Sequence, residues 1–319
     1  MFYLCKKNIG LKKGIVIKST GRWYNVRTPE GDIYNCAAKG RFRMDGIRST
    51  NPISVGDNVE FILDETSQNG LIKTIIERKN YIIRRSTNLS KESHIIATNI
   101  DQALLFVTLV NPKTNIEFVD RFLVAARAYR IPVTIIFNKC DLFTDELKED
   151  YLYYSHCYKS IGYDCIETST VTGENIDRVK EIMKDKVTLL SGNSGVGKST
   201  LINLIEPTLD LKTSEISDAH KTGKHTTTFS EMFPLTMGGY IIDTPGIRGF
   251  GIVHIEREEM YHFFPEIFSL SKGCKFNNCL HINEPNCAVK KAYNNSEIPP
   301  FRYESYLSVM SDQEGKYRL

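Results

Sequence analysis

The chain has 319 residues and a net formal charge of +3, and it is 41% hydrophobic and 25% charged, a mix that excludes bulk disorder and leaves room for two or three domains. No apolar run approaches the roughly 20 residues needed to cross a bilayer, so no membrane partner is expected. Charge is unevenly placed: residues 1–90 hold 16 Lys/Arg against 8 Asp/Glu and the remainder holds 25 against 30, which points to an anionic partner for the first part, nucleic acid more readily than membrane.

From Lys13 to about Tyr81, short apolar runs alternate with turn signals: Gly14 to Ile17, Trp23 to Val26, Ile33 to Ala37, Val59 to Leu63 and Leu71 to Ile76. Turns fall at Pro29-Glu30-Gly31-Asp32 and Gln68-Asn69-Gly70, so about five strands fit an OB-type barrel, with an SH3-like barrel as the alternative. Lys39, Arg41, Phe42, Arg43 and Arg48 lie between strands, in a segment suited to a basic, aromatic-bearing loop that meets RNA; Phe42 suits a core equally well.

After a linker expected around Arg84 to Glu92 the texture changes to alternating strands and helices, the rhythm of a parallel sheet with crossover helices. A strand at Val133 to Phe137 runs into Asn138-Lys139-Cys140-Asp141. The two carboxylate oxygens of Asp141 match the ring N–H and amino group on the edge of guanine, a donor pair that adenine lacks, so the motif reads guanine. Asn138 is expected to brace this loop and the stem of Lys139 to cover the base. Thr168-Ser169-Thr170, followed by Gly173-Glu174, reads as a second base-contacting loop with Ser169 as its contact.

The octet Gly192-Asn193-Ser194-Gly195-Val196-Gly197-Lys198-Ser199 has the G-x-x-x-x-G-K-S spacing of a phosphate loop, between a strand at Lys186 to Leu190 and a helix from Thr200. Its glycines let bare backbone wrap phosphates, Lys198 reaches the outer phosphates and Ser199 offers a hydroxyl to Mg2+. The guanine motif precedes this loop, the reverse of the order in ordinary GTPases, which implies circular permutation. Farther on, Tyr240-Ile241-Ile242 leads into Asp243-Thr244-Pro245-Gly246; Asp243 is placed to hold Mg2+ and the Gly246 N–H to meet a γ-phosphate. Between the two lies Lys224-His225-Thr226-Thr227-Thr228, where Thr227 is assigned to complete the Mg2+ shell, with Thr226 and Thr228 as alternatives. Ile247 stands where many GTPases place the glutamine that orients water. Its side chain has no polar atom, so His225 is the candidate catalytic group; its other reading is that it only shapes the switch.

Five of the eight cysteines (Cys5, Cys36, Cys140, Cys157, Cys165) are scattered, whereas Cys274, Cys279 and Cys287 crowd around His281. A secreted disulfide framework is therefore not expected, and with Lys6 and Lys7 ahead of any apolar run the expected compartment is the cytoplasm. The spacing C-x4-C-x-H-x5-C suits one closed, tetrahedral, structural Zn2+ site, an iron–sulfur centre being the lesser alternative. The final helix is expected at Phe301 to Met310.

Taken together, Asn138 to Asp141, Gly192 to Ser199, Gly223 to Thr228, Asp243 to Gly246 with Arg248 and Phe250, and Cys274-x4-Cys279-x-His281-x2-Glu284-x2-Cys287 closely resemble the ribosome small-subunit-dependent GTPases, the RsgA (YjeQ/YloQ) family of circularly permuted GTPases. The resemblance spans nearly the whole chain. It implies an OB-fold RNA-binding domain (1–85), a permuted P-loop GTPase domain (86–253) and a mainly α zinc-binding domain (254–319). It also implies GTP and GDP as ligands, the small ribosomal subunit and its rRNA as partners, subunit-stimulated hydrolysis to which the histidine matching His225 contributes, and action as a monomer. One departure is Thr170, where an alanine commonly follows the serine.

Overall fold

The computed structural model describes residues 10–38, 52–64, 69–85, 93–209, 231–243 and 255–312. Five strands open the chain: β1 (Lys12–Ser19), β2 (Trp23–Arg27), β3 (Ile33–Ala38), β4 (Asn58–Leu63) and β5 (Gly70–Ile75). Their period-two pattern turns Val16, Tyr24, Val26, Cys36, Val59, Phe61 and Ile72 into one apolar interior. The strands pair in the order β1-β2-β3-β5-β4, β3 with β5 parallel, and β4 returns to β1. That closed five-stranded order is the OB arrangement and decides between the two barrels.

β6 (Tyr81–Arg85) and β7 (Ser93–Thr98) form an antiparallel ribbon. The linker expected from Arg84 thus begins later, because Arg84 and Arg85 complete β6 opposite His94 and Ser93. A buried charge anchors the barrel to this ribbon. Asp57, on the turn into β4, accepts Arg78 Nε and Nη2 at 2.6 Å each, Thr98 Oγ1 at 2.9 Å and the Ser54 N–H at 2.8 Å. The Asp57 and Arg78 side chains are only 0% and 6% exposed, and four donors satisfy the carboxylate that burial would otherwise penalise.

The central unit alternates β8 (Gln102–Val107), α1 (Ile116–Ala128), β9 (Val133–Asn138), α2 (Asp145–Ser160), β10 (Asp164–Thr168), α3 (Ile176–Met183), β11 (Val187–Gly192), α4 (Lys198–Ile205), β12 (Glu231–Pro234) and β13 (Tyr240–Asp243). Strands β10-β9-β8-β11-β13 are parallel and β12 closes them antiparallel. Every residue of β8 is buried, as a central parallel strand covered on both faces requires. Ala103, Leu105 and Val107 pack with Val119, Phe122 and Leu123 of α1, whereas Leu104 and Phe106 face Leu201 and Ile202 of α4. The chain moves outward from β8 through β9 to β10, then returns to β11 on the other side of β8. The carboxyl ends of β8 and β11 therefore flank the topological switch point, where open parallel sheets bind ligands.

β12 also pairs with β1, so barrel and central sheet form one 11-stranded sheet. At that seam Lys18 lies opposite Glu231 and forms an ion pair at 3.1 Å. Ile17 and Val55 of the barrel unit share the apolar core of the central sheet.

The last unit carries α5 (Pro265–Ser271), α6 (Ala288–Asn294) and α7 (Pro300–Asp312). Met260, Phe264, Ile267, Val289, Ile298, Tyr306 and Val309 form its core, and Val124 of α1 joins them. Arg302 of α7, wholly buried, donates to Asp120 Oδ1 of α1 at 2.6 Å and to Glu266 Oε1 of α5 at 2.7 Å. Tyr158 of α2 donates to the same Asp120 oxygen at 2.9 Å. Burial holds the Asp120 carboxyl above its ordinary pKa, with Arg302 opposing. Burial by itself would lower the Arg302 pKa, but Asp120 and Glu266 carry it above the usual value, so the guanidinium stays charged. No described helix is long and apolar enough to cross a membrane.

Candidate functional site

The octet Gly192 to Ser199 leaves the carboxyl end of β11 and enters α4. Gly192, Gly195 and Gly197 have φ of 140°, 79° and 93°. A Cβ at Gly192 would stand 2.6 Å from the Phe106 carbonyl oxygen, and one at Gly197 would stand 2.3 Å from Asn138 Nδ2, so both positions need glycine for space as well as for φ. Val196 is fully buried and pins the loop. Lys198 Nζ donates to the carbonyls of Gly192 at 2.6 Å and Asn193 at 2.7 Å, which sets the ammonium across the loop. Ser194 and Gly195 are exposed and Asn193 half-buried; Ser199 and Thr200 occupy the first turn of α4, where unpaired backbone N–H groups favour anions.

Asn138 ends β9 and is completely buried. Its Nδ2 donates to the Val196 carbonyl at 2.8 Å, and its Oδ1 accepts Thr168 Oγ1 at 3.0 Å. One amide therefore ties together the Asn138 loop, the phosphate-loop octet and the loop after β10. Asp141, exposed in a short 3-10 turn, accepts Ser169 Oγ at 2.5 Å. Ser169 is buried, and its oxygen also accepts the N–H groups of Val171 at 3.1 Å and Thr172 at 3.2 Å. With both lone pairs engaged, the hydroxyl proton is directed at Asp141. The hydroxyl holds one carboxylate oxygen in place while the carboxylate remains open to a donor pair. Thr170 sits half-buried in a turn closed by Gly173 N–H to Ser169 O at 3.0 Å, so the larger residue leaves the Ser169–Asp141 contact intact.

Sequence reasoning missed the loop after β8. Lys139, left-handed at φ 67°, donates from Nζ to the Asn111 carbonyl. A Cβ on Gly195 would contact Pro112 Cδ at 3.5 Å. Thr108 Oγ1 donates to the Pro112 carbonyl at 2.5 Å, and the Thr108 N–H donates to Thr114 Oγ1 at 3.0 Å. This loop thus lies between the Lys139 side chain and the phosphate-loop octet. The Asn111-Pro112 turn dipeptide, directly after a central strand, was the available signal.

Asp243 ends β13, beside β11, with its Cα opposite Glu231. His225, Thr226, Thr227, Thr228, Gly246, Ile247, Arg248 and Phe250 lie outside the described residues. The structure brings Asn138, Lys139, Asp141, Ser169 and residues 192–200 to one end of the sheet, the end at which β13 delivers Asp243.

In the last unit, Cys274, Cys279, His281 and Cys287 gather with ligand atoms within 4.8 Å of one another. Cys274 Sγ lies 3.5 Å from His281 Nδ1 and 3.9 Å from Cys287 Sγ, and Cys287 Sγ lies 3.4 Å from His281 Nδ1. Four ligands about 2.0–2.3 Å from one ion at tetrahedral angles would be separated by about 3.4–3.8 Å, so Cys274, His281 and Cys287 fit one tetrahedral metal ion, with Cys279 gathered beside them as the fourth donor. His281 converges on the cysteines because its backbone is left-handed, φ 59°. Glu284 fixes that turn by accepting the N–H groups of Leu280 at 2.8 Å, Ile282 at 2.9 Å and Asn283 at 3.1 Å. Burial alone would raise the Glu284 pKa, but these donors hold it below the usual carboxylate range. From α7, Tyr303 and Tyr306 donate to the carbonyls of His281 at 2.7 Å and Leu280 at 2.6 Å. Burial lowers the His281 pKa, which favours the neutral imidazole that binds metal. The described cysteines form no disulfide.

Known proteins share this architecture along its full length. The family model of the RsgA GTPase matches residues 75–253, and that of the RsgA N-terminal domain matches residues 13–72. A small ribosomal subunit biogenesis GTPase RsgA of Bacteroides fragilis is 55% identical over 311 residues, covering 96% of this chain and 99% of the relative. The protein of the same name from Flavobacterium johnsoniae is 54% identical over 307 residues, covering 96% and 94%. The crystal structure of YjeQ from Thermotoga maritima superposes with a TM-score of 0.79 at 32% identity, covering 97% of this chain and 100% of that one. YloQ, a circularly permuted GTPase, superposes with a TM-score of 0.74 at 30% identity, covering 100% of both. With its permuted order of guanine and phosphate loops, its five-stranded barrel and its Cys/His cluster, the chain belongs to the RsgA GTPase family.

Proposed function

We propose that this chain is a GTP hydrolase that binds the small ribosomal subunit and acts in its late maturation, with hydrolysis stimulated by the subunit and coupled to release. The observation that carries the reading is the Asn138 amide, which joins the guanine loop to the phosphate loop in the permuted order; the relatives' names supply the ribosomal context. In this reading Asp141 accepts the ring N–H and amino group of guanine, steadied by the Ser169 hydroxyl, and the Lys139 stem covers the base. A site built to hydrogen-bond a substrate group rejects an analogue lacking that group by about ten-thousandfold, which separates GTP from ATP.

Backbone from Gly192 to Gly197, the Lys198 ammonium and the first turn of α4 through Thr200 hold the phosphates, and the Gly246 N–H meets the γ-phosphate. Ser199, Thr227 and Asp243 would hold Mg2+, which when bound neutralises charge developing on the β- and γ-phosphate oxygens. Ile247 cannot orient water, so His225 positions the nucleophile and turnover away from the subunit is slow. The Cys/His site holds one structural Zn2+, since four protein ligands leave no open position and a histidine disfavours an iron–sulfur cluster. The units are residues 1–85, 86–253 and 254–319, the barrel contacts rRNA, and the protein works as a cytoplasmic monomer. Phosphate release from GTP, measured with and without purified small subunits and with ATP as competitor, tests the reading. Negligible turnover both with and without subunits would reduce the protein to a GTP-dependent clamp, and effective ATP competition would remove the guanine assignment.

A further inference from the structure

All the nucleotide loops described above lie at the carboxyl ends of the parallel strands. At the opposite, amino-terminal ends the sheet carries a second concavity of about 470 Å³, walled by the starts of β8, β9 and β10 and by the residue preceding β11. This is within the range of small-ligand clefts. Its charged lining consists of Arg127 from the last turn of α1, Arg130 from the α1–β9 connection, Lys186 and one acid, Asp164.

The cations are not consumed by the fold. Arg127, Arg130 and Lys186 are exposed, and none has an acidic partner among the described residues; Lys186 Nζ donates only to the neutral Gln102 Oε1, at 3.3 Å. The nearby acid Asp101 is already occupied by Lys79 and by the Val187 N–H, at 2.7 Å for the latter. Arg130 also sits at a left-handed position, φ 57°, where glycine would cost the backbone less. Three cations without ion-pair partners outnumber the single carboxylate of Asp164, so the concavity concentrates a net positive field on whatever enters.

The geometry points to this groove as a docking site for the phosphodiester backbone of RNA, separate from the nucleotide site and on the opposite end of the sheet. This inference rests on the proposed binding to the small subunit. Two arginines offer forks that match phosphate oxygens, and the lysine adds a point charge. Tyr163 is the groove's aromatic residue and is buried with its hydroxyl sealed from solvent, so the lining has no exposed ring on which bases could stack. The contact therefore follows the backbone and positions the domain without reading sequence. β8 spans about 20 Å between the two ends, since each strand residue advances about 3.3 Å, so the groove leaves GTP chemistry alone.

The test compares the full-length protein with the triple variant Arg127→Gln/Arg130→Gln/Lys186→Gln for binding to purified small subunits between 50 and 200 mM salt, with GTP binding as the folding control. Each phosphate contact contributes about 0.7–0.9 to the salt slope, so three contacts should make the wild-type affinity fall about 20- to 40-fold more than that of the variant over this range. GTP affinity should not change, and Arg127→Lys/Arg130→Lys with Lys186 retained should keep the steep slope. A triple variant with the wild-type slope overturns the inference. So does one whose loss appears on intact subunits but not on protein-free rRNA from the same subunits, because the partner would then be an acidic protein surface. Failure of the wild type itself to bind subunits would instead overturn the functional proposal.

Discussion

Replacing Asn138 by alanine tests whether one buried amide holds the nucleotide loops together. The change removes the donor to Val196 O at 2.8 Å and the acceptor of Thr168 Oγ1 at 3.0 Å, both in a completely buried setting. Two net hydrogen bonds of about 0.5–1.5 kcal/mol each are lost, and the Val196 carbonyl and Thr168 hydroxyl are left to find water or remain unpaired at about 1–3 kcal/mol each. Because the loops relax, we expect a total near 2–4 kcal/mol, equivalent to about 30- to 700-fold in an equilibrium constant. The bonds exist within the protein, so part of this loss should appear as a lower unfolding midpoint and the rest as weaker GTP binding, when the ligand must re-order the loops. Fluorescent GTP titration and thermal unfolding of the same preparation measure both parts. Asn138→Asp is the sharper companion: it keeps an acceptor for Thr168 but sets an oxygen against the Val196 carbonyl, so it should be at least as damaging. An Asn138→Ala protein with unchanged GTP affinity and unchanged midpoint would refute the reasoning.

Asp141→Asn should weaken GTP binding and shift preference to xanthosine triphosphate, because the amide donates where xanthine accepts; retained GTP preference in competition binding would take Asp141 out of the base pocket. Cys279→Ala should release the metal ion from the Cys/His cluster, which metal analysis checks, with full zinc occupancy as the contrary result; the complete site should add about 10 kcal/mol of metal-dependent folding free energy locally. Arg302→Ala strands Asp120 and Glu266 without their buried partner and should cost about 3–5 kcal/mol in denaturant unfolding, whereas an effect below about 1 kcal/mol would mean that the contact between the last unit and α1 is not stabilising. His225→Ala should lower single-turnover hydrolysis on saturating subunits by about one to three decades, on the order of 1.4–4 kcal/mol of barrier, with GTP affinity little altered; an unchanged rate would assign the chemistry to the ribosome.

What was legible in the amino-acid sequence was local along the chain. Gly192 to Ser199 read as a phosphate loop because glycine, lysine and hydroxyl spacing sets backbone shape and chemistry within eight residues, and Cys274 to Cys287 are near enough for one turned segment to gather four ligands. The order of Asn138 to Asp141 ahead of Gly192 to Ser199 was enough to reveal the permutation. The structure alone decided contacts between distant residues, whose formation depends on which strands pair and which helices meet. The parallel β3–β5 pairing and the β1–β4 closure made the barrel an OB fold. The four residues of β12 are too few to show a period, and they became a strand because β13 and β1 lie on either side. Asn138 reaches a carbonyl 58 positions away and Arg302 reaches a carboxylate 182 positions away. No spacing rule operates over such separations; burial does, since an amide or a charge removed from water is stable only where the folded chain supplies its partner.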